Sequence, residues 1–197
     1  MNVKVVTGPM RCGKSTEVMR LIQRARIARK KVLVGKPKTD DRTPHVSARV
    51  MDEADTEGWV HRPATVIETA EDLERFLATD ADVYVLDEAQ FFLESWAVEA
   101  VVAFLDARTG QPVQLIISGL DLDFARRPFG MMPQFLAIAD EVLKLTGICT
   151  QCGSEDGRFT QRLTAEGGTV VVGDKNYTVR CRTCHEILTA PETPPAP

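Results

Sequence analysis

A glycine-rich segment near the beginning of the sequence has the spacing of a phosphate-binding loop. Gly8 to Ser15 reads GPMRCGKS and matches GxxxxGKS, after an apolar strand and before an amphipathic helix. In this motif the glycines let the backbone turn around a phosphate chain, the lysine reaches the β- and γ-phosphates, and the final hydroxyl ligates Mg²⁺. Lys14 and Ser15 would have those two roles here. The segment therefore predicts binding of a nucleoside triphosphate with Mg²⁺ rather than a chance glycine-rich turn.

Two carboxylates follow a later apolar run. Val83–Leu86 leads into Asp87 and Glu88. An aspartate at the carboxyl end of a buried strand commonly holds Mg²⁺ in nucleotide-binding proteins. A carboxylate beside the metal can accept the proton of an attacking hydroxyl, which makes Glu88 a candidate general base. In a hydrolase it would activate water, and it could also be only a surface acid, so the pair alone leaves the phosphate acceptor open.

Four of the five cysteines form two CxxC pairs, Cys149/Cys152 and Cys181/Cys184, separated by 28 residues. Two such turns can bring four sulfurs to one structural Zn²⁺. Redox-active pairs are the alternative, but neither pair opens a helix in a thioredoxin-like context. His185 adjoins the last cysteine and is expected to be a neighbour of the site rather than a ligand. The fifth, Cys12, lies in the glycine-rich loop and is either a reactive thiol or, as we prefer, a small loop-filling residue.

The elements that must position these groups alternate along the chain, which predicts an α/β protein with a parallel sheet. Short runs of Val, Leu and Ile predict buried strands. Amphipathic spacing and capping residues predict the helices, with a loose capping box at Thr69 and Asp72 and a possible cap at Ser95. The predicted strands are Val3–Thr7, Val32–Gly35, Val83–Asp87 and Val113–Gly119, and the predicted helices run from Ser15 to about Arg29, from Thr69 onward and from Trp96 to about Asp106.

Composition shifts divide the chain further. Thr39 to Pro63 has no clear periodicity and is predicted to be a long loop. Cysteines and glycines from Cys149 onward, with strand-like pieces at Arg158–Leu163 and Thr169–Val172, predict a small second domain. The tail Ala190–Pro197 is proline-rich and is predicted to be disordered. The resulting division is a core over residues 1–147, a zinc-binding domain over 148–189 and a tail over 190–197.

Length and charge exclude several classes of protein. The 197 residues carry 24 Lys+Arg against 28 Asp+Glu, a net charge of −4, which disfavours a protein that coats nucleic acid. No uncharged apolar run reaches the roughly 18 residues of a membrane helix, and the first residues lack the regions of a secretion signal. We therefore expect a cytoplasmic protein with neither a membrane nor a nucleic acid as partner.

Five motifs, taken in order, resemble the type II thymidine kinase family. They are GPMRCGKST at Gly8–Thr16, LDEAQFF at Leu86–Phe92, GLDLDF at Gly119–Phe124, RPFG at Arg127–Gly130 and the cysteine-bearing segment Ile148–His185. The resemblance implies an α/β core of the P-loop NTPase (RecA-like) kind with a small C-terminal zinc-binding lasso domain. It implies ATP-dependent phosphorylation of the 5′-hydroxyl of thymidine or deoxyuridine in nucleotide salvage. It also implies a homotetramer and feedback inhibition by thymidine triphosphate (dTTP).

The same resemblance implies a set of site residues. Glu88 matches the catalytic base, Ser15 and Asp87 the Mg²⁺ site, and Asp40 and Arg42 in KPKTDDR a segment associated with phosphates and metal. The residues implied to bind ATP are Gly8, Pro9, Met10, Arg11, Cys12, Gly13, Lys14, Ser15, Thr16, Asp87, Glu88, Ala89 and Gln90. Those implied to bind the nucleoside are Met19, Gln90, Phe91, Leu120, Phe124, Phe129, Thr160, Val171, Val172, Gly173 and Tyr177. From the residues alone, Met19 and the three phenylalanines could instead pack in the core.

Two other classes of function compete with a nucleoside kinase. A P-loop ATPase could use a zinc ribbon to bind nucleic acid, but the acidic chain and the absence of aromatic residues interleaved with the basic residues of the ribbon disfavour it. A regulatory nucleotide-binding module would have lost turnover, whereas Lys14, Ser15, Asp87 and Glu88 are all present. The kinase is the preferred interpretation.

Overall fold

Six strands form the central sheet of the computed structural model, which describes residues 1–38, 45–51, 57–164 and 176–188. These strands are β1 (Asn2–Thr7), β2 (Val32–Pro37), β5 (Thr65–Ile67), β6 (Val83–Leu86), β7 (Gln114–Gly119) and β8 (Glu141–Lys144). Their order is β5-β2-β6-β7-β1-β8, and all five neighbouring pairs are parallel. The carboxyl ends of β1, β6 and β7 therefore lie along one edge, where ligands bind in open parallel sheets.

Helices cover both faces of this sheet. They are α1 (Lys14–Ile27), α2 (Ala70–Ala78), α3 (Trp96–Ala107) and α4 (Met132–Ala137). Successive strand residues face opposite layers: Val5 packs in the cluster that includes α2, α3 and α4, whereas Val6 packs in the cluster beneath α1. Burial on both faces explains why the strands read as nearly unbroken apolar runs. Among the helices described here, none combines the length and apolarity needed to cross a membrane.

Most predicted elements of the core are confirmed, with bounds that shift by one or two residues. The four predicted strands correspond to β1, β2, β6 and β7, and the three predicted helices to α1, α2 and α3. At the start of α2 the capping box is present, since Asp72 N donates to Thr69 Oγ1 and Thr69 N to Asp72 Oδ2, both at 3.2 Å. Ser95 does precede α3, but its side chain makes no capping hydrogen bond.

The prediction of a long loop over Thr39–Pro63 is wrong. This region contains an antiparallel hairpin of β3 (His45–Met51) and β4 (Glu57–Pro63), in register from His45 opposite Pro63 to Met51 opposite Glu57. Its polar residues and proline hid a weak alternation, in which Val46, Ala48 and Val50 occur at every second position. Strands β5 and β8 and helix α4 were also not predicted, because segments of three to six residues show too little periodicity.

The cysteine-bearing part of the chain contains a second small sheet. Strands β9 (Phe159–Arg162) and β10 (Tyr177–Arg180) pair antiparallel, and Gly147 and Gly157 exchange backbone hydrogen bonds of 2.8 and 2.9 Å. Strand β9 confirms the strand expected at Arg158–Leu163. The piece predicted at Thr169–Val172 and the tail 190–197 lie outside the described residues. The division into domains stays a prediction.

Candidate active site

The glycine-rich loop connects β1 to α1 at the carboxyl edge of the sheet. Gly8 has φ +140°, and a Cβ there would collide with the carbonyl oxygen of Leu145, so only glycine fits. Gly13 is the N-cap of α1, and Lys14 Nζ donates to the carbonyl oxygens of Gly8 at 3.1 Å and Pro9 at 2.6 Å. The lysine ammonium thus lies over the turn. Gly8–Thr16, hereafter the phosphate loop, has the location that phosphate binding requires.

A hydrogen bond joins this loop to the cysteine-bearing part of the chain. Met10 N donates to Thr160 Oγ1 at 3.0 Å, and Thr160, on β9, is 4% exposed. The sequence motifs gave no signal of this contact, because its two residues are 150 positions apart. Thr160 therefore supports the phosphate loop as well as matching an expected nucleoside position.

Asp87 follows β6 and lies buried beside the phosphate loop. Burial and the neighbouring carboxylate of Glu88 raise the pKa of Asp87 to about 7, and hydrogen bonding to the Ser118 side chain and the positive charge of Lys14 partly oppose them. A bound divalent cation would favour the charged carboxylate. Oxygen ligands of this kind suit Mg²⁺, so Asp87 fits the predicted metal role. Ser118 was missed from sequence because it lies within an apolar strand.

Glu88 and Gln90 form a second polar pair at the same edge. Glu88 has φ 53° and ψ 37°, a left-handed conformation that is uncommon for a residue with a side chain. Gln90 lies in the 3₁₀ turn Ala89–Phe91, and its Nε2 donates to Glu88 Oε2 at 2.5 Å. Its Oε1 accepts from Leu120 N at 3.0 Å. The side-chain amide of Gln90 therefore joins the turn after β6 to the residue after β7.

The structure describes the surroundings of several residues that were predicted to bind the nucleoside. The rings of Phe91 and Phe129 meet edge to face at 5.9 Å between centroids. The Arg162 guanidinium lies over the Phe124 ring at 4.9 Å from its centroid. Tyr177 is buried on β10, opposite Arg162. Met19, on α1, packs against the apolar cluster beneath that helix, which is the packing role that its spacing allowed.

Five candidate residues lie outside the described part of the chain: Asp40, Arg42, Val171, Val172 and Gly173. Their assignments stay predictions.

The four paired cysteines converge. Their four Sγ atoms all lie within 4.8 Å of one another, and the Sγ atoms of Cys152 and Cys181 are 3.8 Å apart. Burial alone would raise the pKa of Cys149, but backbone amides of Cys181 and Cys152 outweigh it and lower that pKa to about 6. Hydrogen bonds to the Cys181 and Cys152 sulfurs raise the pKa of Cys184 to about 12. A cation among the four sulfurs would favour thiolates at all positions, so the donor set fits structural Zn²⁺.

His185 lies next to this centre and outside its ligand set. Arg126 Nε donates to His185 Nδ1 at 2.9 Å, which leaves the Nε2 proton for the carbonyl oxygen of Thr160 at 3.2 Å. Burial and the charge of Arg126 lower the pKa of His185. Both ring nitrogens of His185 thus have hydrogen-bond partners other than the cysteine sulfurs, as expected for a residue that neighbours the cysteine cluster without being a ligand. Arg126 is a further residue that sequence reasoning missed, although RPFG begins next to it.

Comparison with known proteins gives a family match over nearly the whole chain. A protein-family model described as thymidine kinase matches residues 1–185. A thymidine kinase from Mycoplasma mobile is 35% identical over 93% of this chain and 86% of its own. One from Deinococcus deserti is 38% identical over 94% and 95%, and one from Rhodothermus sp. is 37% identical over 93% and 81%.

A solved structure also matches part of the fold. It is the genome packaging NTPase B204 from Sulfolobus turreted icosahedral virus 2 in complex with ATP-gammaS, with a TM-score of 0.44, 14% identity and 74% of both chains covered. That similarity is too weak to support an inference about this chain.

Proposed function

Because the chain belongs to the thymidine kinase family, we propose that it transfers the γ-phosphate of ATP to the 5′-hydroxyl of thymidine, and of deoxyuridine, giving the nucleoside monophosphate. A kinase is a phosphotransferase, and the family match covers residues 1–185. The observation that carries the proposal is the meeting of the phosphate loop, Asp87 and Glu88 at one edge of the sheet. The family match favours this activity over the ATPase alternative.

The phosphate loop binds ATP in this proposal. Backbone amides of Gly8–Thr16 and the positive end of α1 face the phosphate chain. Lys14 Nζ, which contacts the carbonyl oxygens of Gly8 and Pro9, exchanges those contacts for oxygens of the β- and γ-phosphates. Ser15 and Asp87 would hold Mg²⁺, which would neutralise charge on the phosphates.

Glu88 is the general base. Its carboxylate takes the proton of the 5′-hydroxyl as the oxygen attacks phosphorus in line with the departing ADP. This reaction ends with a protonated Glu88, a nucleoside monophosphate and ADP.

The nucleoside lies between the core and the zinc-bearing segment. Residues proposed to contact it are Met19, Phe91, Leu120, Phe124, Phe129, Thr160, Val171, Val172, Gly173 and Tyr177. Gln90 borders this site, with its side-chain amide engaged by Glu88 and Leu120. Zinc has a structural role, because four cysteine ligands leave no open position for chemistry. From the family resemblance we also propose a cytoplasmic homotetramer that dTTP inhibits by occupying the nucleoside site.

The experiment that tests the reaction measures three products. Purified protein is incubated with ATP and Mg²⁺, with and without thymidine, and ADP, free phosphate and thymidine monophosphate are quantified. We expect ADP to form only with thymidine and in equal amount to the monophosphate. Equal amounts of ADP and free phosphate, independent of thymidine, would identify an ATPase instead.

A further inference from the structure

The side chain of Gln90 is held at both ends inside the protein. The residue is 1% exposed, its Nε2 donates to Glu88 Oε2 at 2.5 Å, and its Oε1 accepts from Leu120 N at 3.0 Å. A backbone N–H can only donate, so the oxygen of the amide must face Leu120 and the NH₂ must face Glu88. The backbone at the end of β7 therefore fixes which group Gln90 presents to Glu88.

Two glycines make room for this arrangement. A Cβ on Gly119 would lie 2.8 Å from Gln90 Oε1 and 2.7 Å from Met132 Sδ. Gly130 has φ +52°, and a Cβ there would collide with the carbonyl oxygen of Gln90. Each glycine belongs to a different motif, GLDLDF or RPFG. Three separated motifs thus meet around the turn that carries Gln90.

The backbone conformation of Glu88 indicates why its contact with Gln90 matters for function. A non-glycine residue in the left-handed region persists only where its surroundings hold it, and such residues cluster at functional sites. Glu88 is only partly buried, and three rotatable carbon–carbon bonds connect its backbone to the carboxylate oxygens. The Gln90 donor at Oε2 restrains rotation of the carboxylate about these bonds.

We propose that Gln90 is a positioning residue for the phosphoryl transfer: it fixes the Glu88 carboxylate relative to the end of β7 and acts through Glu88. This inference rests on the proposed function, in which Glu88 is the base. A base that is out of alignment slows the chemical step and leaves substrate binding intact. The side-chain amide of Gln90 therefore contributes to kcat rather than to the affinity for ATP or thymidine.

The test is a double-mutant cycle of Gln90→Met and Glu88→Gln. Methionine keeps the length of the side chain and removes both amide groups. We expect Gln90→Met to lower kcat by about tenfold or more, within the roughly 10²–10⁴-fold that a general base contributes. The dissociation constants of ATP and thymidine should stay within about twofold of the original values. In the double variant Gln90→Met should cause no loss beyond that of Glu88→Gln, because both changes remove the same function.

The outcomes separate this inference from the proposed function. An unchanged kcat in Gln90→Met, weaker substrate binding alone, or losses that multiply in the double variant would each overturn the role of Gln90. If Glu88→Gln alone keeps the original kcat, the assignment of the base fails instead.

Gln134→Met on the exposed side of α4 is the matched control. Should Gln90→Met not fold, Gly119→Ala provides the second variant, since its Cβ displaces Gln90 Oε1 and the same kinetic pattern is expected.

Discussion

Arg126 and His185 are joined by two hydrogen bonds that connect the segment after β7 to the cluster of four cysteines. Arg126 Nε donates to His185 Nδ1 at 2.9 Å, and a second guanidinium nitrogen donates to the His185 carbonyl oxygen at 2.7 Å. The same guanidinium lies 4.8 Å from the centroid of Phe159. Because His185 directly follows Cys184, the contact holds the last cysteine pair against the core.

Replacing Arg126 should destabilise the protein. Hydrogen bonds from a charged group contribute about 1.5–3 kcal/mol each when they are largely buried, and this pair is only partly buried. We therefore expect Arg126→Ala to lower the free energy of unfolding by about 1–3 kcal/mol, measured by urea denaturation of the zinc-loaded protein. Arg127→Ala, an exposed neighbour, is the control. Equal losses in both variants would contradict a specific role for the Arg126–His185 contact.

The cysteine centre predicts the zinc content of the purified protein. Elemental analysis should find one zinc per chain, and Cys152→Ala or Cys184→Ala should remove it, because three sulfurs bind Zn²⁺ far less well than four. Cys12→Ala is the matched control and should keep its zinc. Removal of the metal by a chelator should weaken thymidine binding more than ATP binding. Zinc retained in Cys152→Ala, or lost in Cys12→Ala, would refute the ligand set.

The hydrogen bond between Met10 and Thr160 predicts a defect in ATP binding. Thr160→Val keeps the shape of the side chain but leaves Met10 N without its acceptor. A typical hydrogen bond contributes about 0.5–1.5 kcal/mol, so we expect the dissociation constant of ATP to rise roughly two- to tenfold. Isothermal titration calorimetry would measure it. Thr178→Val removes a similar bond, to Thr150 Oγ1 at 2.8 Å, away from the phosphate loop. If both variants weaken ATP binding equally, the contact has no special role.

The capping box of α2 predicts a pH-dependent contribution to stability. Backbone amides of Glu68 and Thr69 hold the pKa of Asp72 below its usual value. A carboxyl whose pKa is lower in the folded state stabilises the protein above its unfolded pKa of about 4, and this contribution is lost as the pH falls through the folded value. Asp72→Ala should therefore have a lower free energy of unfolding than the original protein at pH 7. At pH 3 the difference in free energy of unfolding between the two proteins should be smaller. Urea unfolding at both pH values measures this.

Asp80→Ala is the control for this prediction, since Asp80 is 91% exposed beside Lys31. A constant difference between Asp72→Ala and the original protein from pH 7 to pH 3 would show that the charge of Asp72 is not responsible.

The parts of the site that depend on local spacing could be predicted from sequence. The phosphate loop needs consecutive residues between a strand and a helix, so GPMRCGKS identified it, and each CxxC pair places two sulfurs on one turn. Asp87 and Glu88 were predictable because they end a run of buried residues. The resemblance to a family then added the reaction, which spacing alone left open.

Contacts between distant residues could not be predicted in the same way. The side chain of Gln90 bonds Glu88 and Leu120 across the end of the sheet, and the second of these contacts joins residues 30 positions apart. The partners Arg126 and His185 are 59 positions apart, and neither lies in a periodic pattern that would pair them. The hairpin of β3 and β4 was missed because pairing between its strands defines it and its sequence has no unbroken apolar run.

The measurement that tests the central claim most directly is mass-resolved product formation with ATP, Mg²⁺ and a panel of nucleosides. Thymidine, deoxyuridine, deoxycytidine and deoxyadenosine are each supplied to the original protein and to Asp87→Ala. We predict monophosphates of thymidine and deoxyuridine only, and their loss in Asp87→Ala, because the proposed mechanism assigns the Mg²⁺ ligand to this buried carboxylate. Phosphorylation of all four nucleosides, or of none while ATP is consumed, would contradict a thymidine kinase.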